Sequence, residues 1–322
     1  EVDGDRSGRE QSSSQHAPIP IATQRFLDAI DTHGEEIAIV LLGGVHFLTG
    51  QFFDLQRITS AAHAKGILMG VDAAHAAGNI DLRLHDWGVD FACWCTYKYL
   101  NGGPGNIAAA FVHERHHPSL DAASASSTTS DSSAAASTGL LNQNLKGWWG
   151  HRRGNRFSLH KEYEAAPGAA TLQLSNPCVL ALMSLAPSVR LMASVGMVAL
   201  RTKGDRLTAF LERLIDAVPC LARALHIVTP RDVAQRGSQL SLRIKQGALP
   251  LSRIPTSHAY ENGTDLGNDA DRLERLLKER GVMVDCRPPD IIRLSPVPLY
   301  NSFRDVADLV EILCELFHTT SE

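Results

Sequence analysis

The sequence predicts an α/β protein: a mostly parallel sheet in a larger domain, followed by a smaller carboxyl-terminal α/β domain. Three observations carry this reading. The runs IAIVLLG (37–43), ILMGVD (67–72) and VDFACWC (89–95) are apolar apart from Asp72 and Asp90, and helical patterns lie between apolar runs. Strands that are apolar on both faces and alternate with helices belong to parallel sheets covered on two sides. The chain has 322 residues, room for two domains of roughly 150 residues.

The elements follow in order. Residues 1–20 are polar and rich in Ser and Gly, and read as a flexible tail. A helix is expected over 21–33, then the strand ending in Gly43 and Gly44. DLQRITSAAHAKG (54–66) is a helix that Gly66 closes. IAAAFVHER (107–115) makes a fourth strand. Residues 121–138 are low-complexity Ser, Ala and Thr, read as a disordered insertion. The larger domain therefore spans 21–178 and the smaller one 179–322. The small domain opens on a long helical pattern from Val179, with Pro177 and Pro187 expected as breaks. Short strands at HIVTP, SQLSLRIK, GVMVDCR and IIRLSPVPL follow, with helices at DADRLERLLKERG and SFRDVADLVEILCELF. A Gly/Pro/Asn-rich loop covers 246–268.

Composition narrows the function. The chain is 44% hydrophobic and 20% charged, with formal net charge −4, the profile of a globular protein. No dense basic cluster offers a nucleic-acid surface. No apolar run approaches the roughly 20 residues that span a bilayer, and no signal peptide is visible. The six cysteines are scattered apart from Cys93 and Cys95, and no CxxC or His-rich partner follows that pair. They read as thiols in a reducing compartment, and the expected location is the cytoplasm. The chain starts with Glu1 rather than Met, which reads as a fragment of a longer polypeptide.

The chemistry is expected at the strand tips. Asp72 ends one apolar strand, and ligands of parallel α/β sheets bind beyond such carboxyl ends. Lys98, wedged between Tyr97 and Tyr99, ends the next strand 26 positions on. A lysine in an apolar setting is costly unless used, and a desolvated amine is a nucleophile toward carbonyls. Pyridoxal phosphate wants both groups: an amine for its aldehyde and an acid at its ring nitrogen. Spacing alone leaves other readings open, with Asp72 as a cap or buried ion-pair partner and His75 as a structural histidine. No G-x-G-x-x-G or G-x-S-x-G occurs, and NGGPGN (101–106) lacks the Lys-Ser/Thr of a phosphate loop.

The residues VDAAHAAGN through YKYLNGGPGN to IAAAFVHE (71–114) resemble the central motif of the kynureninase family. GVHFLTGQ (44–51), GWWGHR (147–152), SNP (175–177) and IIRLSPVPLYNSFRDV (291–306) resemble it too, so the likeness runs over about 34–315. The resemblance implies the fold type I architecture of pyridoxal-phosphate enzymes, a homodimer with shared sites, and no nucleic-acid or membrane partner. It implies hydrolysis of L-kynurenine or 3-hydroxykynurenine to anthranilate or 3-hydroxyanthranilate plus alanine, in tryptophan catabolism and NAD synthesis. Lys98 matches the lysine that carries the cofactor aldehyde, and Asp72 the acid at the pyridinium nitrogen. His75 matches a cofactor-contacting histidine. Tyr97 matches the tyrosine that reaches the phosphate and moves protons. Trp148 and Asn176 match residues that reach cofactor or substrate, partly across the dimer. Arg293 matches the clamp for the substrate α-carboxylate; a guanidinium in an apolar strand needs an anion.

Two departures stand out. Gly43 replaces a cofactor-contacting serine found in several relatives. The amino-terminal third, which supplies the phosphate cradle and the ring stacked on the pyridine, has no counterpart, and residues 1–35 show no cradle of their own. The alternative reading is therefore a truncated, non-catalytic paralogue. A cysteine desulfurase would need a catalytic cysteine on a mobile loop, and none of the six is placed so.

Overall fold

The computed structural model describes residues 20–117, 145–158, 163–250 and 268–318. The expected insertion at 121–138 lies outside the described residues, as do almost all of the expected tail and most of the 246–268 loop.

The first sheet contains β1 (Ile39–Gly43), β2 (Leu68–Asp72), β3 (Phe91–Cys95) and β4 (Ala108–Val112), in that spatial order. β1, β2 and β3 run parallel, and β4 turns back antiparallel on β3. The register sets Gly43, Asp72 and Cys93 side by side at the strand tips. Helices α1 (Thr23–His33) and α2 (Leu55–Ala64) precede and follow β1. Asp54 caps α2 by accepting from the Arg57 N–H at 3.1 Å, and Gly66 turns the chain with φ +73°. Ile58, Ala62, Met69, Val71 and Ala92 form the core between helix and sheet.

Sheet coverage differs from the sequence expectation. The inner face is buried, but the other face leaves Ile39, Leu41, Asp72, Cys93, Ala108 and Ala110 exposed among the described residues. The strands are apolar on both faces, as expected, yet only one face meets a packed layer here. On the open face the Phe91 ring lies where a side chain at Gly70 would project, which explains a glycine in mid-strand.

Under the sheet, Asp90 is 1% exposed. Its carboxylate accepts from the Met69 N–H at 2.7 Å, His63 Nε2 at 2.8 Å and His116 Nε2 at 2.7 Å. Burial pushes this carboxyl up, but the three donors outweigh it and hold the group below its ordinary value.

The second sheet is antiparallel throughout, with β5 (Leu225–Ile227), β6 (Leu240–Ile244), β7 (Asp285–Arg287) and β8 (Ile291–Leu294) in the order β5-β6-β8-β7. Helices α4 (Met197–Ala217), α5 (Pro219–Ala224), α6 (Asp269–Glu279) and α7 (Phe303–Phe317) pack on it through Leu207, Leu211, Leu221, Leu273 and Leu313. α7 starts with a reciprocal capping box between Ser302 and Asp305. Before α4 lies α3 (Val179–Val195), which contains Pro187 without breaking. The expected break at Pro187 is thus displaced. It falls at Gly196, whose φ of +82° lets the chain turn 87° between α3 and α4. An exposed helix has space for a proline ring and loses a single backbone bond to it. No single described helix is long and apolar enough to cross a membrane.

A polar seam joins the two sheets. Gln239 donates to the Phe47 carbonyl at 3.0 Å, Ser241 to Leu48 O at 2.6 Å and Thr229 to Thr49 O at 2.7 Å. Asn79 Oδ1 accepts from the Ser238 N–H at 2.8 Å. Each joins a side chain of one unit to the other's backbone, and so fixes the HFLT loop against β6.

Removing the Asp90 carboxylate leaves two imidazoles and a buried N–H without their acceptor. Asp90→Ala is expected to lose about 3 kcal/mol of stability, read from urea unfolding. In the unaltered protein the Asp90 contribution is present above pH 3.8, its ordinary pKa, and fades as acid titrates the folded group.

Candidate active site

The strand tips of the first sheet face β7 and β8 of the second across a cavity of about 400 Å³. His75, Lys98, Asp285, Arg293, Ser295 and Tyr300 are among its lining residues. A larger cavity of about 640 Å³ lies beside α1. There Asp54 caps α2 and pairs with the Arg57 guanidinium at 3.9 Å, so the chemistry gathers in the smaller one.

Lys98 follows β3 in a turn, and its ammonium donates to His75 Nε2 at 3.1 Å. The imidazole stays neutral at physiological pH. Burial first, then the cations Lys98 and Arg293, pull its pKa from 6.5 down to about 4, against the opposing pull of Asp72. Accepting at Nε2 places the ring proton on Nδ1, which is buried and has no partner. A buried donor without an acceptor is rare in a finished structure, and here it belongs to the ring that holds Lys98 through its other nitrogen. Asp72 is exposed at the β2 tip, where its Oδ1 accepts from the Ala74 N–H at 2.9 Å. Tyr97 is 48% exposed at the cavity mouth, with its ring centroid 5.9 Å from Lys98 Nζ.

Arg293 has the anion that its strand position demands. Its side chain is 10% exposed, and Nε and Nη2 both donate to Asp285 Oδ2 at 2.5 Å. Nη1 donates to the Phe47 carbonyl at 2.5 Å. Asp285 Oδ1 accepts from Arg287 at 2.9 Å.

The structure therefore brings Lys98, Tyr97, His75 and Arg293 to one cavity, with Asp72 at the neighbouring strand tip. It does not bring Trp148 or Asn176 there within one chain. Trp148 lies on a 3-10 turn (Trp148–Gly150), edge-on to Trp149 at 4.9 Å and 46% exposed. Asn176 is exposed, and its Oδ1 accepts from Ser175 Oγ at 3.2 Å. Sequence reading missed Asp285, Gln239 and the Phe47 carbonyl. The one available signal was Arg293 itself, which required an unnamed acid; only the β7–β8 register, Asp285 opposite Arg293, names it.

The Aminotransferase class-V family model matches residues 18–146, and the Kynureninase C-terminal domain model matches 200–254 and 264–313. The kynureninase of Myxococcus xanthus (strain DK1622) is 44% identical over 293 residues, covering 91% of this chain and 58% of the relative. Kynureninase 1 of Aspergillus oryzae (strain ATCC 42149 / RIB 40) is 40% identical over 294 residues, covering 90% and 54%. The chain thus spans little more than half the length of these relatives. Among solved structures, an apo cysteine desulfurase from Thermococcus onnurineus NA1 has a TM-score of 0.63 at 15% identity, covering 90% of this chain and 62% of that one. An alanine–glyoxylate aminotransferase from Nostoc sp. has a TM-score of 0.59 at 16% identity, covering 92% and 66%. At such identities the likeness is one of fold.

Sheet order, strand-tip residues and matches together define a chain of the fold type I class, the architecture of pyridoxal-phosphate-dependent enzymes. Within that class its sequence is similar to kynureninases, at 40 to 44% identity over about nine tenths of its length.

The neutral state of His75 has a measurable consequence. Between pH 6.5 and about 4 the unfolded chain takes up a proton that the folded imidazole refuses. Stability is expected to fall as pH drops through that window, and His75→Gln to flatten part of the slope. Urea midpoints at pH 7 and pH 5 read the effect, which solvent softens because the ring is only half buried.

Proposed function

We propose that this chain carries the lysine-bearing part of a kynureninase that hydrolyses L-kynurenine or 3-hydroxykynurenine to the anthranilate and alanine. The observation that carries the proposal is one cavity holding an amine paired to a neutral histidine on one wall and a forked cation on the other. That arrangement suits an amino acid whose amine and carboxylate must be gripped separately.

The residues fit pyridoxal phosphate. Lys98 would hold its aldehyde, Asp72 its ring nitrogen and Tyr97 its phosphate, while the partnerless His75 Nδ1 offers a donor toward the ring substituents. When bound, the cofactor supplies an electron-withdrawing ring that makes the substrate α-carbon acidic and its Cβ–Cγ bond breakable. The remaining work falls to the chain. His75, neutral, accepts from Lys98 and keeps the amine at the cavity wall. Lys98, with its amine held at that wall, would be the base that moves the α-proton. Arg293 takes the α-carboxylate and so fixes the torsion that aligns the scissile bonds. Tyr97, exposed at the mouth, is placed to pass protons toward incoming water.

A second subunit completes this reading. Trp148 and Asn176 are exposed and do not line their own cavity, and α3 exposes Val179, Leu180, Met183 and Leu191. An apolar patch of this kind marks an interface. We assign it to a homodimer in which each subunit lends Trp148 and Asn176 to its partner. Six free cysteines support a reducing, cytosolic setting. Kynurenine hydrolysis in turn places the protein in tryptophan breakdown and NAD synthesis.

Lys98→Ala in the full-length protein is expected to abolish kynurenine cleavage and the visible absorbance band of the cofactor. Borohydride reduction should tag the Lys98 peptide; label on another lysine rejects the assignment. Arg293→Lys keeps the charge but loses the fork, and KM is expected to rise about tenfold. Sedimentation should report a dimer, and Leu180→Asp with Met183→Asp should dissociate it.

A further inference from the structure

We propose that Asp285 is the positioning residue that sets Arg293 to receive an amino-acid carboxylate, and that it thereby selects amino acids over the corresponding amines. The inference rests on the reading of this cavity as the substrate site.

A guanidinium carries five N–H groups in one plane. Asp285 Oδ2 takes two of them, from Nε and Nη2, and so grips one edge of the fork. The Phe47 carbonyl takes a third from Nη1. One N–H is left on each terminal nitrogen, a pair able to take both oxygens of a second carboxylate. The plane of the fork is fixed from two directions, by β7 and by the HFLT loop. That loop is itself held by Gln239 at Phe47 O and by Ser241 at Leu48 O.

Asp285 is also shielded from becoming a competitor. Its second oxygen is held by Arg287 at 2.9 Å, so each oxygen already has its own guanidinium. The trio of Arg287, Arg293 and Asp285 keeps one net positive charge, which matches one incoming carboxylate. Asp285 lies directly opposite Arg293 in the β7–β8 ladder, so its placement follows from backbone register rather than from a flexible side chain. An Arg293 without this edge contact would keep its charge but lose its aim. A substrate lacking the carboxylate would not notice the difference.

The test compares the full-length wild-type protein with Asp285→Asn, which keeps shape, Asp285→Ala, and Asp285→Glu, which restores the charge. Steady-state kinetics use L-kynurenine and its decarboxylated analogue kynuramine. Calorimetric titration with L-alanine and with ethylamine gives a readout free of turnover. Asp285→Asn and Asp285→Ala are expected to raise the kynurenine KM and the L-alanine Kd about tenfold. Values for kynuramine and ethylamine should stay unchanged, and Asp285→Glu should recover part of the loss. Equal losses for ligands with and without the carboxylate mean a merely structural role and overturn the proposal. Tighter L-alanine binding in Asp285→Asn makes the aspartate a competitor and overturns it too. If the wild-type protein cleaves no kynurenine, the proposed function fails, while the L-alanine and ethylamine titrations still judge Asp285. Thermal melting of Asp285→Asn confirms that the variant is folded.

Discussion

A guanidinium in an apolar strand has to meet an anion, and the architecture of this site follows from how Arg293 meets that demand. Desolvating an arginine costs several kcal/mol unless charge and hydrogen bonds are returned to it. Asp285 returns the charge from the neighbouring strand, and Phe47 returns a carbonyl from the other sheet. The second contact is also a domain contact. Satisfying Arg293 therefore closes the small sheet onto the strand tips of the large one and defines the cavity between them. Gln239, Ser241 and Thr229 extend the same seam with neutral hydrogen bonds, so no apolar interface is needed where a polar ligand must enter.

The second wall of the cavity obeys a related rule. Lys98 is paired with a base, not with an acid. His75 beside two cations and partly buried loses its proton, and a neutral imidazole can hold an ammonium without cancelling its charge. A carboxylate in that place would bind the amine more firmly and make it a poorer nucleophile. Asp72 sits one strand-tip away with most of its acceptor capacity unused. The pair of walls thus presents an amine and a forked cation to one space, with Asp72 at the neighbouring strand tip.

The open face of the first sheet carries a separate implication. Parallel strands are built to be covered on both sides, and Ile39 and Leu41 at the β1 end are exposed among the described residues. Asp72 and Gly43 lie side by side at the edge of that face.

Much of this was legible in the residues. Strands apolar on both faces give a parallel sheet by periodicity alone, and Asp72 and Lys98 stand out because charge at the end of an apolar run is costly. Both facts are local, so the sequence carries them. It also determined that Arg293 needed an acid, but not which one, since cross-strand register joins residues eight apart through a turn of unspecified length. It placed a break at Pro187, where an exposed helix tolerates the ring and Gly196 makes the turn instead. Only tertiary structure decided that Asp285 and the Phe47 carbonyl hold the fork, that His75 is a neutral acceptor, and that Trp148 and Asn176 lie outside their own cavity. Each depends on the electrostatics and packing of groups distant in sequence, which a linear pattern does not encode.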